Sequence, residues 1–204
     1  MKVSYKNLQE YFDGKLPSPE VLEHELTFHA WEVEGKEQTG DDTVLDIKVL
    51  PDKSAWALSH RGVAKDISTI LTIPLAHDPL AHVCTLSPST NELRIEVQSS
   101  TCDRYTAALI RGVTVGPSPE WLQDFLRSLG QRSINNIVDL TNYVMFSIGQ
   151  PLHAFDARKL SHENGHHIIV RDAQEAESIT TLTGETYTLS KGEALIVDGG
   201  TNTP

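Results

Sequence analysis

The stretch Ile134–Asp156, "INNIVDLTNYVMFSIGQPLHAFD", carries the strongest structural instructions in the chain. From about Asn135 to Ile148 the pattern predicts a helix, with Ile137, Thr141, Met145 and Ile148 on one stripe. Val138, Asn142 and Met145 or Phe146 form the neighbouring stripe. Thr141 and Asn142 therefore face whatever those apolar residues face. A buried Asn amide has two donors and an acceptor to satisfy, and an unpaired one costs about 1–3 kcal/mol. Either protein groups saturate it or it lines a polar pocket. Gly149 ends the helix and Pro151 forbids its continuation. The reversal "GQPLHAFD" then brings His153 back toward the helix end. A histidine there can donate, accept or shuttle a proton, or serve as a hydrogen-bonded structural group. Asp156 is placed to cap or brace the turn.

Working outward, "PSPEWLQDFL" and "PSPEVLEHEL" open alike. Each sets Ser (118, 18) at the N-cap, Pro (119, 19) at the first helical position and Glu (120, 20) at the second. Trp121, Leu122, Phe125, Leu126 and Leu129 form one buried stripe, closed by Gly130, and Leu22 and Leu26 form the other. The shared opening reads as a common way to start a helix, not as an internal repeat. A first helix is expected at about Tyr5–Phe12, capped by Ser4. "TVLDIKVLP" alternates Leu45, Ile47 and Val49 against Asp46 and Lys48, the signature of a half-buried strand. "SHRGVAKDISTIL" reads as a helix capped by Ser59, with Val63, Ile67, Ile70 and Leu71 inward. "LRIEVQ", "YTAALIRGVTVG", "HIIVRDA" and "EALIVDGG" read as strands, with a hairpin turn at Thr183–Gly184.

Helices and strands mix without regular alternation, which predicts an α+β fold. The proline-rich stretch from Thr72 to Thr90 divides it. The expected organisation is a small helix/strand domain over 1–72, a linker over 73–90 and a mixed α+β domain over 91–204. That last domain reads as incomplete, because the strand and glycine turn of "EALIVDGGTNTP" leave an edge unpaired.

Seventeen basic and 28 acidic residues give a net charge of −11, which argues against a stand-alone nucleic-acid binder. Arg104, Arg111, Arg127, Arg132, Arg158 and Arg171 supply most of the positive charge of the second half, so RNA contacts are expected to be local and there. No apolar run is long enough to span a membrane and the N-terminus is amphipathic rather than signal-like, so a cytoplasmic protein is expected. Cys84 and Cys102 read as isolated thiols. "SHENGHH" brings His162, His166 and His167 near a turn with no carboxylate at ligand spacing, so no metal site is expected. There is no Walker motif and no G-x-S-x-G elbow.

"RSINNIVDLTNYVMFSIGQPLHAFD" resembles the editing domain of bacterial phenylalanyl-tRNA synthetase beta subunits, and "CDRYTAALIRGVTVGPSPEWLQDFLRSLG" resembles the segment preceding it. "MKVSYKNLQEYFDGKLPSPEVLEHELTFHAWEVEG" and "DTVLDIKVLPDKSAWALSHRGVAKDISTIL" resemble the start and first domain of the same subunit. The resemblance is colinear over essentially the whole chain. It departs in two places: only "GKEQTGDD" stands where the family often carries an oligonucleotide-binding barrel, and the family's chain continues past Pro204.

The resemblance implies a subunit of phenylalanine–tRNA ligase that partners an alpha subunit, as two alpha and two beta chains, and tRNA(Phe). ATP and Mg2+ would serve the whole enzyme, through the alpha subunit, with none held by this fragment. It further implies a site that hydrolyses mischarged Tyr-tRNA(Phe), with His153 catalytic and Thr141, Asn142, Gly149 and Gln150 binding substrate. The family's glycine-rich segment and the acid that reads the tyrosine hydroxyl lie beyond Pro204, so the fragment alone is expected to be inactive. The competing expectation is a non-catalytic assembly or RNA-contact module that keeps the fold.

Overall fold

The computed structural model describes residues 1–82, 90–162, 165–181 and 183–204. Cys84 and Asn164 lie outside them, as does most of the second half of the expected linker. The fold is α+β, in two units that are each discontinuous in sequence: Met1–Cys84 with Thr114–Ala154, and Thr85–Val113 with Phe155–Pro204.

The first unit begins with strand β1 (Lys2–Ser4) and helix α1 (Tyr5–Gln9), whose N-cap Ser4 accepts from the Asn7 amide at 3.0 Å. Helix α2 (Pro19–His29) buries Leu22 and Leu26 and leads to β2 (Val33–Thr39) and β3 (Asp42–Ile47). All three strands pair antiparallel in the order β1-β3-β2. The "GKEQTGDD" stretch is itself the end of β2, a turn at Gly40 (φ +61°) and the start of β3, with Thr39 opposite Asp42. Alternation puts Leu45 and Ile47 in the core as read, and Val44 on the opposite face is buried too, so this central strand is covered on both sides. After α3 (Ser54–Ala57), helix α4 (His60–Leu71) starts under Ser59, whose hydroxyl accepts from the Gly62 amide at 3.1 Å. Val63 and Ile67 are fully buried. Helices α5 (Glu120–Ser128) and α6 (Asn136–Ile148) complete the unit.

Three expectations change here. The helices at 120–148 pack with the N-terminal unit rather than with the second domain, because their polar and aromatic partners (Tyr11 and His60) lie in α1–α4. Ser118 does not cap α5 with its side chain; Pro119 is the N-cap, and the Ser118 hydroxyl donates to Asp139 instead. Trp121 is 56% exposed, lying edge-on to Tyr143 at the rim of the Leu122–Phe125–Leu126–Leu129 cluster.

In the second unit β4 (Leu93–Val97) pairs parallel with β5 (His166–Asp172), and β8 (Ala194–Asp198) pairs antiparallel on the other side of β5. Between them β6 (Ser178–Thr180) and β7 (Thr186–Thr188) form the expected hairpin, turned at Gly184 with φ +86°. The glycine turn after β8 returns at one position, where Thr203 bridges back to Asp198; otherwise β8 is the outer strand of the β4-β5-β8 sheet, and its outer edge is unpaired among the described residues, as read from sequence. Arg171 is buried and grips both carboxylate oxygens of Glu177, with Asn202 Oδ1 accepting from its Nε at 2.9 Å. "YTAALIRGVTVG" is not a strand. Its alternation is real, but no neighbouring strand pairs with it among the described residues, and Ile110 and Val115 are exposed.

Candidate functional site

Helix α6 carries the sequence-predicted residues, and the groups that fix it come from far along the chain. Asn135 caps it, its side chain accepting from the Ile137 and Val138 amides at 3.0 Å each. In its first turn Asp139 is fully buried and gathers the Ser118 hydroxyl, the Ser133 hydroxyl at 2.6 Å and the Ile134 amide at 2.8 Å. Burial pushes this carboxyl up, but the donors around it prevail and hold it below its ordinary value.

At the other end, a helix leaves its last carbonyls without intrahelical partners. Two are satisfied by side chains of the N-terminal segment. Tyr11 donates to the Ser147 carbonyl at 3.1 Å. The Ser4 amide donates to His60 Nε2 at 2.9 Å, so Nδ1 carries the ring proton and donates to the Phe146 carbonyl at 2.9 Å. Gly149, at φ +83°, closes the helix with its amide on the Met145 carbonyl.

Burial drives the His60 pKa down to about 4, against the upward pull of the Phe146 carbonyl and of Asp42. The unfolded chain takes up this proton near the ordinary 6.5 and the folded chain only near 4. The His60 contribution is thus complete above the unfolded value and is lost as pH falls from there toward 4. Between pH 7 and pH 5 the loss is about 2 kcal/mol. Urea unfolding at both pH values checks this in the parent chain and in His60→Asn. The parent should lose more than the variant by that amount, and equal losses would rule the neutral anchor out.

The packing side of α6 is the Asp139, Tyr143, Phe146 and Ser147 face. Tyr143 and Phe146 pack on the α5 cluster, and Asp139 and Ser147 are buried. At about 100° per residue, Thr141 lies roughly 160° around the helix from Asp139. The stripe read as an apolar face is therefore not the one that packs on α5. Ile137, Thr141, Asn142, Met145 and Ile148 are all half-buried.

Thr141 donates its hydroxyl proton to the Val138 carbonyl at 2.7 Å, which leaves the oxygen as an acceptor only. The Asn142 amide has no hydrogen-bond partner among the described residues, so both its donors and its acceptor are available. Gly149 and Gln150 lie eight residues on from Thr141 and Asn142, about 12 Å along the axis. Gln150 is exposed and donates to the Pro151 carbonyl at 3.1 Å. His153 is exposed on the irregular segment that follows. The structure thus brings Thr141 and Asn142 together and sets Gly149 and Gln150 apart from them. Asp156 caps as expected, accepting from the Arg158 amide at 3.1 Å in front of a single 3-10 turn, Ala157–Lys159.

Sequence reasoning missed Asp139, His60, Tyr11, Ser118 and Ser133 as the framework of α6. The available signal was a lone carboxylate inside an otherwise apolar helix. Of the six arginines considered for RNA, Arg111, Arg127, Arg158 and Arg171 are engaged with Glu92, Asp124, Asp156 and Glu177. Among the described residues, no group of three or more His, Cys, Asp or Glu is placed to share a metal ion, and no helix is long and apolar enough to cross a membrane.

Residues 101–203 match the B3/4 domain family. The phenylalanine–tRNA ligase beta subunit of Rhodopirellula baltica is 36% identical over 97% of this chain, which spans 28% of that protein. The beta subunit of Moorella thermoacetica is 43% identical over 77% of the chain and 19% of its own length. A crystal structure of an N-terminal fragment of the phenylalanyl-tRNA synthetase beta-subunit from Pyrococcus horikoshii covers 98% of the chain and 58% of that fragment, at 15% identity and a TM-score of 0.45. The chain belongs to the B3/4 domain family and is similar, along nearly all its length, to phenylalanine–tRNA ligase beta subunits.

Proposed function

We propose that this chain is part of the beta subunit of a cytoplasmic phenylalanine–tRNA ligase and hosts one wall of a site that hydrolyses Tyr-tRNA(Phe). Its partners are the alpha subunit, in an assembly of two alpha and two beta chains, and tRNA(Phe). In this reading ATP and Mg2+ serve the whole enzyme, and amino-acid activation takes place on the alpha subunit.

The observation that carries the reading is the Asn142 amide, half-buried beside Thr141 on a face of α6 that does not pack on α5, with no hydrogen-bond partner among the described residues. A phenylalanine pocket rejects a side chain that merely adds a hydroxyl only ~100-fold, so a second, hydrolytic site raises selectivity. In such a site Asn142 and the Thr141 oxygen orient the terminal ribose and the ester, with Gly149 and Gln150 shaping the substrate's path. His153 orients the attacking water. Water adds to the ester carbonyl, the bond to the ribose oxygen breaks, and that oxygen leaves with a proton. The chemistry is mainly orientation and hydrogen bonding.

His153→Ala in the assembled alpha–beta enzyme should lower Tyr-tRNA(Phe) deacylation about 10- to 100-fold while leaving phenylalanylation unchanged. Undiminished deacylation would remove His153 from the site. If His153→Ala and Asn142→Ala both left it undiminished, the result would favour the alternative, a non-catalytic assembly or RNA-contact module.

A further inference from the structure

A shallow cleft of ≈ 150 Å³ lies within the first unit, where α3 and the first turns of α4 meet the C-terminal end of α6. It is too small to bury a cofactor-sized ligand. Trp56 and Leu58 form its apolar wall, Arg61 and Lys65 bring positive charge, and Ile148 and Gly149 close it from α6. No carboxylate is among its lining residues, in a chain that carries 28.

The groups that line the cleft are open to solvent. Trp56 and Leu58 are 45% and 52% exposed, and Lys65 and Gly149 are exposed as well. The indole is displayed from a fixed backbone, because the Trp56 carbonyl accepts from the Ser59 hydroxyl at 3.3 Å and abuts Gly62 too closely for a Cβ. Lys65 has no ion-pair partner among the described residues. Asp78, which feels its charge, is held at both oxygens by Arg61, at 2.6 and 2.7 Å.

The cleft also continues the face of α6 that carries Thr141 and Asn142. Seven residues bring a helix round to within about 20° of its starting direction and about 10 Å along its axis. Ile148 therefore follows Thr141, and Gly149 follows Asn142, on one side of the helix.

We propose that this cleft is a subsite for single-stranded RNA, in which one base stacks on the Trp56 indole and the Lys65 ammonium takes a phosphate of the same strand. An aromatic face beside an unpaired cation is the combination that holds single strands whatever their base. The subsite rests on the reading that α6 receives the 3′ end of a tRNA. It adds where the nucleotide before the terminal one is held, and Trp56 and Lys65 are positioning residues for the ester beyond it.

The test is the anisotropy of a 5′-fluorescein-labelled RNA, ACCA, titrated with the purified chain across about 20–200 mM KCl. Trp56→Ala should weaken binding about tenfold, and Trp56→Phe, which keeps a stacking face, should stay within about threefold of the parent. Lys65→Gln should reduce the slope of log affinity against log salt by about 0.7, the share of one single-strand phosphate, which a merely structural lysine would not do. Both side chains are exposed, so circular dichroism should show the fold retained. ACCA without its penultimate base should bind the parent about tenfold more weakly, yet bind Trp56→Ala as well as the intact RNA does. A parent chain that does not bind ACCA, a Trp56→Ala chain that binds it as tightly as the parent, or an equal loss on base removal in both would overturn the proposal. Hydrolysis fails separately: weakened binding in Trp56→Ala with undiminished deacylation in His153→Ala would support the subsite and remove the hydrolytic role.

Discussion

Asp139→Ala should destabilise the first unit by about 3–5 kcal/mol, a large share of what holds a domain of this size together. The residue is fully buried at the first turn of α6, and its two oxygens receive the hydroxyls of Ser118 and Ser133 and the amide of Ile134. Removing the acceptor strands the buried Ser118 hydroxyl and leaves the part-buried Ser133 hydroxyl and Ile134 amide to find new partners, while an unpaired buried group costs about 1–3 kcal/mol. Asp139→Asn keeps one oxygen and should be milder, because the serine hydroxyls can turn to accept from the new amide. The check is the urea midpoint with the slope of the transition. An Ala variant within 1 kcal/mol of the parent would mean that Asp139 is not the hub of α6.

Gly62→Ala should likewise destabilise by about 3 kcal/mol or more, although propensity alone points the other way. In an open helix Ala is better than Gly by about 1 kcal/mol. At this position in α4, however, a Cβ would lie 1.7 Å from the Trp56 carbonyl oxygen and 2.6 Å from its carbon. Those are backbone atoms at the end of α3 and cannot swing aside as a side chain could. The strain must be relieved by parting α3 from α4, and with it the Ser59 cap that the Gly62 amide completes. An unchanged or raised melting temperature in this variant would contradict the close approach. Gly35, whose nearest contact for an added Cβ is at 4.0 Å, serves as the control in the same chain.

What could be read from sequence divides along a physical line. Caps and stops came through because their partners are two to four residues away: Ser4 on Asn7, Ser59 on Gly62, and the left-handed Gly130 and Gly149. The alternation of β3 and the hairpin at Gly184 came through for the same reason. Ser118 shows the limit. Its tetrapeptide is the one that opens α2, yet its hydroxyl is drawn to Asp139, 21 positions away. His60 and Tyr11 were silent because their acceptors lie 86 and 136 positions downstream, beyond any window of local pattern. The alternation of "YTAALIRGVTVG" misled, because a strand is defined by a neighbour and periodicity does not say whether one exists. Thr141 and Asn142 read as sharing the apolar face of α6, but the face they share is not the one on which α6 packs against α5.

The route of the chain through its two units has a consequence for how the protein is made. Residues leave the second unit at Val113 and rejoin it at Phe155, so the parallel pair β4–β5 is joined by a crossover that contains α5 and α6. A ribosome delivers α1 and α4 first, with Tyr11 and His60 waiting for carbonyls that have not yet been synthesised. The N-terminal layer is then a platform with an open side until α6 emerges, and β4 in turn has no β5 to pair with until α6 has been passed. Such separations slow folding and prolong exposure of apolar surface during translation. A pause or cleavage near residue 113 would therefore leave both units unfinished.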